Sequence, residues 1–502
     1  MKNRKIRLLY DGTLLAEGLG KGSNRSGIFF VVYNVFRELL KFDDLEVVLY
    51  CDPTRMDELQ GFIWQYLNEY HRKIEIINDP QYRRTGLMVL DRAVLNVRDI
   101  KNNLCANHQC LKCQWMRGVL LALKVLRKVE RMLTGRVNVL SQDWCERLSS
   151  VDAVLSPALP HMPEVIAAGV KRYTILYDAI PYIFPDLFPD TKDGCSWNLN
   201  LLKSLNADDV CFAISEQTKE DFLAFSALFR EKGNDLLAMY EERNGINAHT
   251  CQIVKALRER REQGLLPVQA PTEHDSPLRR ENVEVMLLAA SENFYECKSV
   301  EKILEVRRKY RIPVGKKYVF SLCTLESRKN ILYAIRGFLH FAETEHAEEM
   351  VFVLGGGSWT KYAEALEKAL GDIPGWQEKI LRIGYVDDVD LAPLFTDAFC
   401  TVYPSLYEGF GLPPLEAMQC GCPVITSDNS SLPEVVGDAG VMIDINQQGS
   451  LEAALKRLYD NPRERKDFKQ RGLARAKAFS WRKAAEVVHD RICRDFGKDR
   501  QP

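Results

Sequence analysis

The 502-residue chain has no uninterrupted apolar run of about 18 residues, so no spanning helix is expected. Its basic start, MKNRKIRLLYDG, loses its apolar run at Asp11, too early for a signal-peptide core. Charge of one sign is also lacking: 68 Lys and Arg face 69 Asp and Glu, which gives no global case for nucleic-acid binding. No short-period internal repeat is visible. Without a secretory leader, the fourteen cysteines read as reduced thiols of a cytosolic protein. Cys105, His108, Cys110 and Cys113 in CANHQCLKC offer a Cys-x2-Cys pair with a nearby histidine, yet a second pair at finger spacing is absent. Ordinary loop or packing cysteines are the reading set against zinc.

What is present is apolar material enough for two large α/β domains: 46% of the residues. KIRLLY (5–10) reads as a first buried strand, followed by a glycine loop (18–27), a helical pattern from Ile28 to Leu40 and the strand LEVVLYC (45–51). The pattern resumes at DAVLSP (152–157), YTILYDAIPYIFPD (173–186), VCFAIS (210–215) and VEVMLLAA (283–290). Residues 80–150 and 230–280 interrupt it as insertions. A second series follows at KKYVFSLC (316–323), VFVLG (351–355), ILRIG (380–384), AFCTVYP (398–404) and PVITS (423–427), and Ser480 is set to cap a final helix. Two doubly wound, Rossmann-like parallel sheets facing a cleft are expected. The division is 1–312, 313–479, and a crossover helix with tail over 480–502.

Within the first insertion, 117–133 has helical amphipathicity. At 100° per residue Arg117, Lys124, Lys128 and Arg131 fall within an arc of about 60°, opposite Val119, Ala122, Leu126, Val129 and Leu133. A surface helix packed on its domain and a patch for anionic lipid headgroups both fit.

Chemistry concentrates in SLYEGFGLPPLEAMQCGCPVI (405–425). Ligands of open parallel sheets bind beyond the strands' carboxyl ends. Here Gly409 and Gly411 let the backbone approach a ligand, and Pro413 or Pro414 suits a helix's first turn. The helix start then presents free N–H groups to a phosphate. Two carboxylates beside a phosphate make sense as hydroxyl acceptors: Glu416 for a ribose diol and Glu408 for a sugar diol. A loop cap for Glu408 and a dipole partner for Glu416 are the structural alternatives. Arg328 and Lys329, between a strand and a helical run in CTLESRKNI, are placed to neutralise a diphosphate. The glycines of LGGGSW (354–359) either face the nucleotide or turn the chain.

With these residues in hand, YVFSLCTLESRKNI, IGYVDDVDLAPLF, YPSLYEGFGLPPLEAMQCGCPVI and SLPEVVGDAGVMID resemble the family 4 retaining glycosyltransferases of the GT-B fold. SGIFFVVYNVFREL, ILYDAIPYIFPD and AISEQTKEDFL resemble the family's first domain more loosely. The resemblance implies transfer of a hexose from a nucleotide-sugar, with retention. It assigns the diphosphate to Arg328 and Lys329, the ribose to Glu416, and the donor to Glu408 with Gly409, Phe410, Gly411 and Leu412. Gly27 would close on the phosphates. It implies no cofactor beyond the donor and no metal, the helix end and two cations taking that part. Where many members have His-Asp, this chain has Tyr177 and Asp178. That leaves Asp178 to orient the sugar or receive the acceptor's proton, or else to bond turn amides before Pro181. Phe29 and Phe30 stand where smaller or polar residues are expected, implying an unusual acceptor pocket. The flavour of GLPPLEAM points to GDP-mannose. The resulting expectation is a cytoplasmic enzyme, peripheral on the inner membrane face, extending a lipid-linked glycan such as lipopolysaccharide or exopolysaccharide. The rivals are a soluble transferase for a protein, small molecule or free sugar, and a non-catalytic nucleotide-sugar-binding subunit.

Overall fold

The computed structural model of the chain describes residues 4–18, 27–51, 55–71, 73–77, 115, 118–119, 121–123, 125–126, 147–161, 165, 168–180, 201, 205–224, 226, 278–324, 326–357 and 360–497. Its strands form two sheets. The first, in the order β3-β2-β1-β4-β5-β6-β7, has seven: β1 (Ile6–Asp11), β2 (Leu45–Tyr50), β3 (Glu75–Ile76), β4 (Ala153–Ser156), β5 (Lys171–Leu176), β6 (Val210–Ala213) and β7 (Val283–Val285). The second, in the order β10-β9-β8-β11-β12-β13, has six: β8 (Lys317–Leu322), β9 (Met350–Gly355), β10 (Ile380–Gly384), β11 (Cys400–Tyr403), β12 (Val424–Ser427) and β13 (Val441–Ile443). Neighbours in the second sheet run parallel, as do β3-β2-β1-β4-β5 in the first. Strands buried on both faces need continuous apolar runs, and β9 and β11 are buried at every residue. These are the paired α/β sheets of the GT-B architecture.

By sheet membership the chain changes over between Val285 and Lys317. By compactness it divides elsewhere. One unit comprises Met1–Ile175, Leu199–Phe212 and Val488–Pro502, the other Leu176–Asn198 and Ala213–Val487. The segments that leave β5 and β6 therefore group with the second unit, because they pack on its 404–411 loop, as described below. The final helix, Trp481–Asp495, belongs to the second unit up to Val487 and to the first from Val488. Ser480 caps it as expected, its Oγ accepting from the Lys483 amide at 3.1 Å.

In the first unit the helix Gly27–Leu39 buries Phe29, Val31, Val32, Val35, Phe36 and Leu39. Phe29 is a core residue, edge-on to Phe62 with centroids 5.9 Å apart. Gly18 makes room for it, since a Cβ there would lie 2.1 Å from the ring. The size of Phe29 thus serves packing.

Arg117, Lys124, Lys128 and Arg131 lie outside the described residues, as do Cys105, His108, Cys110 and Cys113. Neighbouring helical residues Leu121, Val125 and Leu126 are exposed, so Leu126 does not pack on the unit as an internal face would. Among the described residues no helix is long and apolar enough to cross a membrane.

Ser480→Ala is expected to destabilise the chain by about 1 kcal/mol through loss of the cap, read as a lower denaturation midpoint. An unchanged midpoint would show that the cap contributes nothing.

Candidate active site

In the second sheet the chain runs outward from β8 through β9 to β10, then returns to place β11 on the other flank of β8. The crevice beyond the carboxyl ends of β8 and β11 is therefore the topological switch point, where open α/β sheets bind ligands. Two loops meet there. The one after β8 forms a 3-10 turn, Ser327–Lys329, and the one after β11 spans 404–411. The Leu406 amide donates to the Arg328 carbonyl at 2.8 Å, and Arg328 Nη1 donates to the Tyr407 carbonyl at 3.0 Å.

Glu408 stands between the two cations. Lys329 Nζ lies 2.7 Å from its Oε1 and Arg328 Nη1 2.6 Å from its Oε2. Oε1 also accepts from Tyr403 Oη at 2.9 Å and Ser405 Oγ at 2.7 Å. Oε1 is therefore saturated, whereas among the described residues Oε2 has the Arg328 ion pair and no hydrogen bond, which leaves room for a donor. Burial by itself would raise the Glu408 carboxyl. The Lys329 ammonium and Arg328 guanidinium outweigh it and hold the group at about 2, against an ordinary 4.5. Arg328 Nε is buried and has no hydrogen-bond partner among the described residues.

The backbone of the loop is fixed from β12 onward. Ser430 Oγ accepts from the Glu408 amide at 3.0 Å, and Ser431 Oγ donates to the carbonyls of Glu408 and Phe410 at 3.0 and 2.7 Å. Gly411 has φ +110° and opens the helix Leu412–Gln419, with proline in its first turn. Glu416, one turn in, makes none of the Glu408 contacts. Burial, with Asp388 adding repulsion, pushes its carboxyl up to about 8.

Gly409 touches the segment that follows β5: a Cβ at 409 would lie 2.8 Å from Asp178 Cβ and from the Tyr177 carbonyl oxygen. Ser215 Oγ and Thr218 Oγ1 donate to the Gly409 carbonyl at 2.7 and 3.0 Å, and Tyr407 Oη donates to Asp221. Glu434 accepts from the amides of Glu216 and Gln217, both at 2.8 Å, at the start of the helical stretch 216–224. Asp178 makes the turn bond expected of a structural aspartate, Oδ1 accepting from the Ile180 amide at 3.1 Å. Burial raises its carboxyl against the pull of Arg328.

Thus Arg328, Lys329, Glu408, Gly409 and Asp178 come together, while Phe410, Gly411 and Leu412 carry the loop into the helix. Phe410 is buried, its ring 6.1 Å from that of Phe479. Gly27 is the first residue of the helix Gly27–Leu39 in the first unit. Of the triple glycine, Gly356 turns the chain: φ is +132°, and a Cβ would sit 1.8 Å from the Cys323 carbonyl oxygen. Tyr403, Ser405, Ser430, Ser431 and Glu434 are the supporting residues that the sequence reading did not single out.

Residues 302–475 match the family profile described as Glycosyl transferases group 1. Over 187 residues, 37% of this chain and 48% of the relative, the chain is 37% identical to O-antigen chain mannosyltransferase B of Escherichia coli. Over 200 residues, 39% of this chain and 24% of the relative, it is 30% identical to the serotype-specific mannosyltransferase WbdA of Escherichia coli. The matched part spans about half or less of these relatives. Among solved structures, HepE from Anabaena, in complex with UDP, covers 97% of this chain and 99% of its own at TM-score 0.55 and 13% identity, a likeness of fold.

Glu408→Gln leaves two buried cations without their counter-charge, at an expected cost of about 3–5 kcal/mol. Because the folded carboxyl titrates near 2 and the unfolded one near 4.5, its stabilisation is complete above pH 4.5 and lost as pH falls through 2. Melting temperature against pH should therefore drop less steeply over that window in the variant. An identical acid limb would refute the ion cluster.

Proposed function

With residues 302–475 a glycosyl transferases group 1 domain, we propose that this chain is a retaining hexosyltransferase of family 4. It moves mannose from GDP-mannose to a hydroxyl of a lipid-linked cell-surface glycan of the O-antigen or lipopolysaccharide kind. The observation that carries the reading is the pair of cations converging on Glu408 at the switch point, with a buried Arg328 Nε donor left over. A buried guanidinium donor of this kind is suited to an anion. The similarity to Escherichia coli mannosyltransferases supports mannose as the sugar.

The roles follow from the contacts. The donor diphosphate lies against Arg328, Lys329 and the N-terminus of Leu412–Gln419. All three supply positive potential where charge develops on the leaving phosphate, doing without a divalent ion. Oε2 of Glu408 accepts a hydroxyl of the donor sugar, and the backbone of Gly409, Phe410, Gly411 and Leu412 lines it. Glu416 accepts the ribose hydroxyls. Asp178 or the departing phosphate receives the acceptor's proton. The exposed apolar residues Leu121, Val125 and Leu126, within the basic stretch 117–133, bring the enzyme to an anionic cytoplasmic membrane face.

Arg328→Ala and Lys329→Ala are each expected to lower the rate of mannose transfer from GDP-mannose about 100- to 1,000-fold, with circular dichroism unchanged. Rates within twofold of the parent would overturn the assignment. Silence towards GDP, UDP, ADP and dTDP sugars despite measurable binding would identify a non-catalytic subunit instead.

Glu416 generates a pH prediction. Largely protonated at pH 7, it must ionise to accept two ribose hydroxyls, so nucleotide binding should release a proton near pH 7 and none well above pH 8. Calorimetry in buffers of different ionisation enthalpy measures this. The release should vanish in Glu416→Gln, and persistence there would remove Glu416 from the ribose site.

A further inference from the structure

The first unit holds a cluster that sugar transfer does not use. Asp44 precedes β2, while His489 and Cys493 are one helical turn apart on the final helix and share a face of it. His489 Nε2 lies 2.9 and 3.0 Å from the two Asp44 oxygens, and Cys493 Sγ lies 3.4 Å from both Asp44 Oδ2 and His489 Nε2. One ligand atom from each residue falls within 4.8 Å of the others. His489 and Cys493 are buried, whereas the Asp44 side chain is 45% exposed.

We propose that Asp44, His489 and Cys493 are three protein ligands of a zinc ion, with water completing a tetrahedron on the exposed Asp44 side. Ligand type, spacing, charge and outer contacts all bear on this. Sulfur, imidazole nitrogen and carboxylate oxygen are the zinc-binding set. For bond lengths of about 2.0 Å to nitrogen and oxygen and about 2.3 Å to sulfur, the edges of a tetrahedral face measure about 3.3–3.6 Å. The thiol and imidazole stand near such an edge already, and the imidazole and carboxylate need to part by only about 0.4 Å. A thiolate and a carboxylate cancel the ion's two charges, so the buried site is neutral, and binding releases the Cys493 proton to solvent.

The second ring nitrogen supplies an independent support. His489 Nδ1 lies 3.0 Å from Asp490 Oδ1, a carboxylate placed to accept the Nδ1 hydrogen when Nε2 ligates the metal. This is the carboxylate–histidine–metal arrangement. Phe42 stacks on the imidazole, centroids 3.9 Å apart, and holds its plane. The Asp44 carbonyl accepts from the Ile6 amide at 2.9 Å, so the ion would fasten the last turns of the chain to the start of β1. A metal-free alternative exists in the same contacts, with the imidazole and thiol simply hydrogen-bonded to Asp44.

The two are separated by cobalt titration of the full chain, reduced and stripped of metal with chelator. The expected result is one Co2+ giving a thiolate-to-cobalt charge-transfer band, displaced by Zn2+. The band should be lost in Cys493→Ser and kept in the double variant Cys110→Ser and Cys113→Ser, which disables the other cysteine cluster. Zn2+ should also raise the melting temperature of the parent. Asp490→Asn, which removes no ligand, should keep the band and weaken affinity about 10- to 100-fold. The proposal is overturned by absence of the band in the parent or by its survival in Cys493→Ser. Should that variant fail to fold, unchanged affinity in Asp490→Asn overturns it instead.

Discussion

The ion cluster of Glu408 with Lys329 and Arg328 is the constraint on which the second unit's chemistry depends. Desolvating three charges is expensive, and a buried ion pair rarely repays that cost through stability alone. Here the cluster ties the loop after β8 to the loop after β11 across the switch point, and Tyr403 and Ser405 supply further donors to the same carboxylate. Only with that loop held does Gly409 lie close enough to Asp178 and Tyr177 to exclude a side chain. Among the described residues the same cluster leaves Nε of Arg328 without a hydrogen-bond partner and Oε2 of Glu408 with no hydrogen bond beside the Arg328 ion pair.

Most of the sheet framework was legible because parallel strands buried on both faces must be written as apolar runs. β1, β2, β8, β9 and β10 fall within a residue or two of the runs that announced them. β3, two residues long, has no such run, and β13 was legible only within a longer resemblance. Phe29 misled because side-chain size was read against a pocket. Gly18, eleven positions earlier, provides the room that makes it core, and that pairing exists only in three dimensions. The bonds of Ser215, Thr218 and Glu434 within the second unit were equally invisible, since they join residues nearly 200 positions or more apart.

At the site, Arg328, Lys329 and Glu408 were legible because charged residues just beyond strand ends are positioned by topology. The serines that hold the loop were not, because a serine's partner is set by the tertiary structure: Ser430 and Ser431 reach back more than twenty positions to Glu408. Glu416 was legible in position but not in state. Its high titration point comes from burial and from Asp388 on another helix. The first unit's Asp44, His489 and Cys493 show the same effect at the longest range, since a helix at the end of the chain meets a residue near its start.

The central claim, that the cations at 328 and 329 receive the diphosphate of an activated sugar, is tested most directly by a crystal structure of the chain with GDP. The account predicts phosphate oxygens within hydrogen-bonding distance of Lys329 Nζ, Arg328 and the first amides of Leu412–Gln419, with the ribose at Glu416. A nucleotide bound elsewhere, with the Glu408 cluster untouched, would contradict it.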